Sequence, residues 1–196
     1  MKKYELTSEF VTNAFGTKLF RIKAIVAFGN VEKGELGGFI EKEDNLSHDG
    51  DAWVTGNAWV TGNARVTGDA WVTGNARVSG NARVTDNACV SGDAWVTCNA
   101  WVTCNARVTG DAWVTGNADY AVVKGFGRYF RATTFFRCKD KILRVQCGCF
   151  YGDLTQFREI VKRTHGDSKY AKEYLAIADL MELHFSDDDA KQEATE

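Results

Sequence analysis

A mainly β fold wound into a solenoid is the class this sequence predicts, and three observations carry the prediction. Valine recurs at 54, 60, 66, 72, 78, 84, 90, 96, 102, 108 and 114 without a slip. Each valine is followed by Thr or Ser, then usually by Gly, and then by Asn or Asp. The residue before each valine is the one place in the phrase that varies freely. A fixed period this short marks a stack of like coils rather than a mixed core.

The geometry of one phrase follows from strand alternation. With valine pointing inward, the residues before and after it both point outward. The outward columns are therefore the variable residue and Thr/Ser, while Ala and the Gly-Asn or Gly-Asp pair sit near corners. Of these, Gly, Asn and Asp tolerate φ > 0, which a tight bend every six residues requires.

Taken in order, the chain divides into residues 1–49, the repeat at 50–118, a module at 119–186 and an acidic tail at 187–196. In the first part Phe20, Ile22 and Ala24 alternate as one strand face, with a hairpin around residues 13–16. Leu36-Gly37-Gly38-Phe39-Ile40 and Leu46 follow. The step from Ile40 to Leu46 is already six, whereas Leu46 to Val54 is eight, which predicts an irregular first coil that caps the open end. After the repeat, strands are expected at 120–123, 133–136 and 142–147, the last two around a Lys139-Asp140-Lys141 turn, and Cys147-Gly148-Cys149 reads as strand. Asp153 and Gln156 form a capping box for a helix carrying Leu154, Phe157, Ile160 and Val161. Gly166 ends it, and Asp167 or Ser168 starts another with Tyr170, Tyr174, Ile177, Met181 and Phe185 at helical spacing.

The phrases V-T-G-N-A-R and V-S-G-D-A-W resemble the hexapeptide repeat of left-handed parallel β-helices. That resemblance implies three hexapeptides per triangular coil, about four coils, left-handed crossovers and a homotrimer. The flanks resemble those of phage and prophage hexapeptide-repeat proteins. With 18 residues per coil, residues 18 apart stack at about 4.8 Å. One face then carries Trp53, Trp71, Cys89 and Arg107; a second Trp59, Arg77, Trp95 and Trp113; a third Arg65, Arg83, Trp101 and Asp119. All six tryptophans fall in this outward column.

Two uses of the columns stand side by side. As contacts between copies, Trp53, Trp59 and Trp113 are the expected anchors, because stacked indoles are too much apolar surface to leave wet. As a ligand site, Arg65, Arg83, Trp101, Arg77, Trp95, Arg107 and Trp71 combine guanidinium groups for an anion with indole faces for a flat ring. Ice binding by threonine ladders fits poorly, since Trp and Arg interrupt the methyl lattice. The family's acyltransferases need a basic residue, usually His, and often an inserted loop. Neither occurs in this repeat: His48 precedes it, and His165 and His184 lie in the helical part.

Other chemistry is weakly signalled. Cys98 and Cys104 occupy successive corners, separated by about 16–20 Å and beyond disulfide reach. Cys89 lies in an outward column, and Cys138, Cys147 and Cys149 lack an evident fourth zinc ligand. A run of Lys124, Arg128, Arg131, Arg137, Lys139, Lys141 and Arg144, interleaved with Phe126, Tyr129 and Phe130, suits a phosphate-bearing partner or a solvated strand face. The net charge of −2 exerts no general pull toward duplex DNA. The start lacks an apolar h-region and no run is long enough to span a bilayer, so a cytoplasmic setting with reduced thiols is expected. For a phage protein this is the host cytoplasm. The expectation is a non-catalytic homo-oligomer without cofactor or metal, holding a small anionic ligand such as a nucleotide immune signal. An acyltransferase and a ligand-free or end-to-end scaffold are the alternatives.

Overall fold

The computed structural model describes residues 1–186, so the acidic tail read at 187–196 lies outside the described residues. It is a mainly β chain with a β-solenoid of about four turns, followed by strands and two helices. The described chain forms two compact units, Met1–Asn117 and a second that begins at Ala118.

The first unit opens with antiparallel β1 (Tyr4–Thr12) and β2 (Lys18–Ala24), then β3 (Leu36–Ile40). The hairpin bends at residues 13–17, where the Asn13 side chain accepts hydrogen bonds from the backbone N–H groups of Phe15 and Thr17. The buried residues of β2 are Leu19, Ile22 and Ala24, with Phe20 only half-buried. Phe20 stands opposite Ile40 in the register and meets Phe10 with ring centroids at 6.1 Å.

Eleven strands, β4 to β14, are two residues long and recur every six residues from Trp53–Val54 to Trp113–Val114. They stack in parallel with registers 18 residues apart, such as Trp59↔Arg77 and Arg65↔Arg83. Every repeat valine and every repeat alanine from Ala52 to Val114 is at most 1 % exposed. The core is thus dry columns of Val and Ala, in which β-branched valine suits the extended rungs and alanine fits beneath the bends. Backbone N–H groups donate to the next coil, as from Trp59 to Ala76 at 2.9 Å and from Thr61 to Val78 at 2.9 Å. Ladders of Asn side chains (Asn63 to Asn81, 3.2 Å) and hydroxyls (Ser79 to Thr97, 2.9 Å) reinforce the stack.

Each corner passes through the left-handed region, from Gly50 at φ 70° to Gly110 at φ 62°. Three corners use other residues: Asp86 (φ 56°), Cys98 (φ 56°) and Cys104 (φ 62°). Asp86 is partly compensated, since its carboxylate accepts from the Thr103 hydroxyl and from the Cys104 N–H. A Cβ in this region crowds the following carbonyl, so Cys98→Gly should stabilise the solenoid by about 1 kcal/mol. Urea denaturation of the two chains side by side checks this, and a lowered midpoint would refute it.

The N-terminal segment is a true first coil. Phe39 and Ile40 pair with Trp59 and Val60, and Leu46 bridges to Val66. Where the chain leaves the lattice, side chains take over as donors. Asn45 Nδ2 donates to the Gly62 and Ala64 carbonyls at 3.1 and 2.8 Å. Lys3 Nζ donates to those of Gly50 and Ala52 at 2.8 and 2.9 Å. The Tyr4 hydroxyl lies 2.9 and 2.8 Å from the Glu43 and Leu46 carbonyl oxygens. An exposed strand edge invites pairing with another chain, and these donors cover it.

Two expectations for the columns are corrected here. Trp53 is fully buried, because residues 1–31 fold over it. Phe28 meets it edge-on with ring centroids at 5.4 Å, and Tyr4 lies at 6.4 Å. It is a core residue of the cap and is inaccessible to a second copy. Asp119 does not continue the third face, which ends at Trp101; it lies in the 3-10 turn Asn117–Asp119. There Asn117 Oδ1 accepts from the Trp101 N–H at 2.9 Å, standing in for the absent next rung.

In the second unit, β15 (Tyr120–Val123), β16 (Thr133–Arg137), β17 (Leu143–Cys147) and β18 (Phe150–Asp153) form an antiparallel sheet. Cys147 and Cys149 do not share a strand face, because Gly148 at φ 61° turns β17 into β18. Helix α1 (Leu154–His165) begins with the Asp153/Gln156 capping box, and α2 (Lys169–His184) is capped by Ser168. Phe135, Val145, Phe157, Tyr174, Ala178 and Met181 belong to the core between sheet and helices.

Candidate functional site

The outward residues of the solenoid are positioned by the rungs themselves. Each stands one residue before a buried valine, so its Cβ direction is fixed by the coil and only its rotamer is free. The seven expected ligand residues do not converge on one point. They lie on three separate faces.

On the second face, Arg77 is sandwiched between Trp59 and Trp95, with its guanidinium carbon 4.8 and 5.1 Å from their ring centroids. The stack continues toward the cap, where Phe39 pairs with Trp59 and Arg21 lies 4.4 Å over Phe39. Sequence reading missed Arg21 and Phe39. The signal for Phe39 was available: it precedes Ile40 as the variable residue precedes each valine. A cleft of about 180 Å³ lies on this face, closed on one side by Asn13, Ala14 and Phe15 at the hairpin tip. Its volume is below the roughly 300 Å³ at which drug-sized sites begin, so within one chain it takes a single ring or a small acid. Trp113, one rung beyond Trp95, is 45 % exposed.

The third face is open. Arg65 and Arg83 pair on adjacent rungs and are exposed, and Trp101 follows on the next at 47 % exposure. The Arg83 guanidinium lies 5.7 Å from the Trp101 ring, whose Nε1–H donates to Thr85 Oγ1 at 3.2 Å. A guanidinium stacked on an indole keeps its in-plane N–H groups for an anion while the ring face desolvates the cation. Beside Arg65, a recess of about 130 Å³ includes Lys42, Asp44 and Asn63.

The first face offers less. Trp71 and Arg107 are separated by Cys89, which is half-buried, and burial pushes its thiol above the ordinary range. His48 is half-buried against the cap, its ring 4.3 Å from that of Tyr4, and burial pushes its imidazole below the ordinary range. Among the described residues no group of three or more His, Cys, Asp or Glu side chains is arranged to hold a metal ion.

The fold and its outward columns define a β-solenoid protein. The family model described as the YdcK beta solenoid repeat matches residues 76–92, close to one coil of the stack. No curated protein matches the chain. Among the described residues no helix is long and apolar enough to cross a membrane.

Proposed function

We propose that this chain is a non-catalytic, oligomeric binding protein whose Arg/Trp faces meet between copies and hold a small anionic ligand of nucleotide type there. The observation that carries the reading is the open face of Arg65, Arg83 and Trp101, with paired guanidinium groups next to a half-exposed indole. Two guanidinium groups suit a phosphate, and the indole suits a base. An open face excludes water poorly by itself, so a second copy is needed to complete the pocket. The repeat's resemblance to hexapeptide β-helices favours a homotrimer, and the flanks' resemblance to phage proteins favours a host nucleotide signal as the ligand. Acyl transfer finds less support, because His48 packs against the cap and no histidine stands in an outward column.

Calorimetry tests the reading, with nucleotides and cyclic nucleotides titrated into the protein and the native mass measured beside it. One ligand is expected to bind a multimer, and Arg83→Ala to weaken it about tenfold or more. Silence across the whole set would remove the proposal.

A further inference from the structure

The basic run at 124–144 separates in the structure into two parts. Arg144 pairs with Asp140 at 2.7 Å, while Arg137 lies 3.8 Å from Asp119 and donates to the Phe185 carbonyl at 3.0 Å. Arg128 and Arg131 are different. Both are exposed, both guanidinium groups rest on Tyr129, at 5.6 and 5.0 Å from its ring centroid, and neither has a carboxylate in ion-pair range among the described residues.

Their segment is fixed in place. The Gly127 N–H donates to Glu173 Oε2 at 2.9 Å, and a Cβ at Gly127 would fall 2.1 Å from the Tyr174 hydroxyl. Only glycine allows this approach, at φ 69°. On the other side Arg131 Nη1 comes within 3.0 Å of where a Cβ on Gly148 would stand. The two cations are thereby held at the mouth of a cavity of about 220 Å³ in the second unit.

The interior of that cavity is apolar. Phe157, Val161 and Tyr174 are at most 8 % exposed, with Phe150 and Ile160 beside them. Tyr174 stays a neutral phenol because burial raises its pKa to about 12. Cys147 is half-buried in the wall and accepts from the Thr133 hydroxyl at 3.2 Å, while Cys149 is exposed at the rim. Unneutralised guanidinium groups over a dry floor define a ligand with two ends: an anionic head and an apolar body. The volume admits one ring with its acid group and excludes a nucleotide.

We infer that this cavity is a second binding site, for a small aryl or similarly compact apolar anion, with Arg128 and Arg131 taking the phosphate or carboxylate and Phe157, Val161 and Tyr174 the apolar body. It is independent of the Arg65/Arg83/Trp101 face, so either site can fail without the other.

Alkylation of Cys149 by iodoacetamide, mapped by peptide mass on the full chain, reads occupancy directly, and exposed Cys98 and Cys104 serve as internal controls. Phenyl phosphate or benzoate at about 10 mM is expected to slow Cys149 about fivefold or more and leave both controls unchanged. Phenyl phosphate acting alone would assign a phosphate head, and benzoate acting alone a carboxylate. Arg128→Gln with Arg131→Gln should abolish the protection. Protection by neither anion, equal protection by benzyl alcohol, or protection retained in the double variant would overturn the inference.

Discussion

Lys3→Met is expected to lower the urea midpoint of the solenoid unit, corresponding to a loss of about 2–4 kcal/mol. The ammonium of Lys3 donates to two carbonyls at the open end of the stack, Gly50 and Ala52, at 2.8 and 2.9 Å. It also lies 4.6 Å from the centroid of Phe28, and the residue is 4 % exposed. Methionine keeps the length of the stem but removes every donor, leaving those carbonyls facing the cap without a partner. Burial pushes the ammonium below the ordinary lysine range, partly offset by Asp51, Asp49 and Asp69. The folded state therefore binds fewer protons than the unfolded one between the lowered value and the ordinary lysine value. Wild-type stability should accordingly gain on the variant as pH rises through that window. An unchanged midpoint in Lys3→Met would mean that solvent, and not Lys3, covers the end of the stack.

Gly38→Val should destabilise the same unit by about 3 kcal/mol or more, read by far-UV circular dichroism against urea. The reason is proximity and not backbone angle. A Cβ on Gly38 would stand 2.7 Å from the Ala58 carbonyl oxygen and 2.9 Å from Val54 Cγ1. Its neighbour Gly37 is as tight, with the Val54 carbonyl oxygen at 2.6 Å from the equivalent position. The paired glycines let β3 lie directly on the first regular coil, so its pairing with Trp59 and Val60 depends on them. A variant that melts with wild type would show that β3 can shift outward without loosening the stack.

The regular part of the fold was legible because a solenoid repeats one local solution. A valine every six residues dictates both the buried column and the direction of its neighbour, while the 18-residue register of the rungs was implied by the resemblance to hexapeptide β-helices and is the register observed. The cap was legible only in outline. Its geometry depends on long-range partners such as Lys3 with Ala52 and Tyr4 with Leu46, which no local pattern announces. Trp53 shows the consequence most sharply: its rung position faces outward, and the chain's own N-terminal segment covers it. Asp119 marks the same limit at the other end, where a 3-10 turn replaces the next rung. In the second unit the capping box and both helices were local and came through. The turn at Gly148 was hidden, because Cys147-Gly148-Cys149 carries as much strand character as turn character, and pairing with β18 decides it.

The candidate faces divide along the same line. Which residues point outward is a property of the phrase, and the sequence assigned them correctly apart from the two ends. What covers each face is a property of the whole chain. The hairpin tip beside Trp59, Arg77 and Trp95 turns one face into a small cleft, whereas Arg65, Arg83 and Trp101 stand open. The core valines make the rod, and the residue before each valine sets what the rod can touch.

That division makes one comparison decisive. A chain carrying Arg65→Thr, Arg83→Thr and Trp101→Thr changes only exposed outward positions and leaves every core valine and alanine in place. Nucleotide titration by calorimetry, with the melting temperature recorded on the same samples, tests it against wild type. The account predicts a melting temperature within about 3 °C of wild type and no saturable heat from the nucleotide that wild type binds. A folded triple variant that binds as wild type does would contradict it.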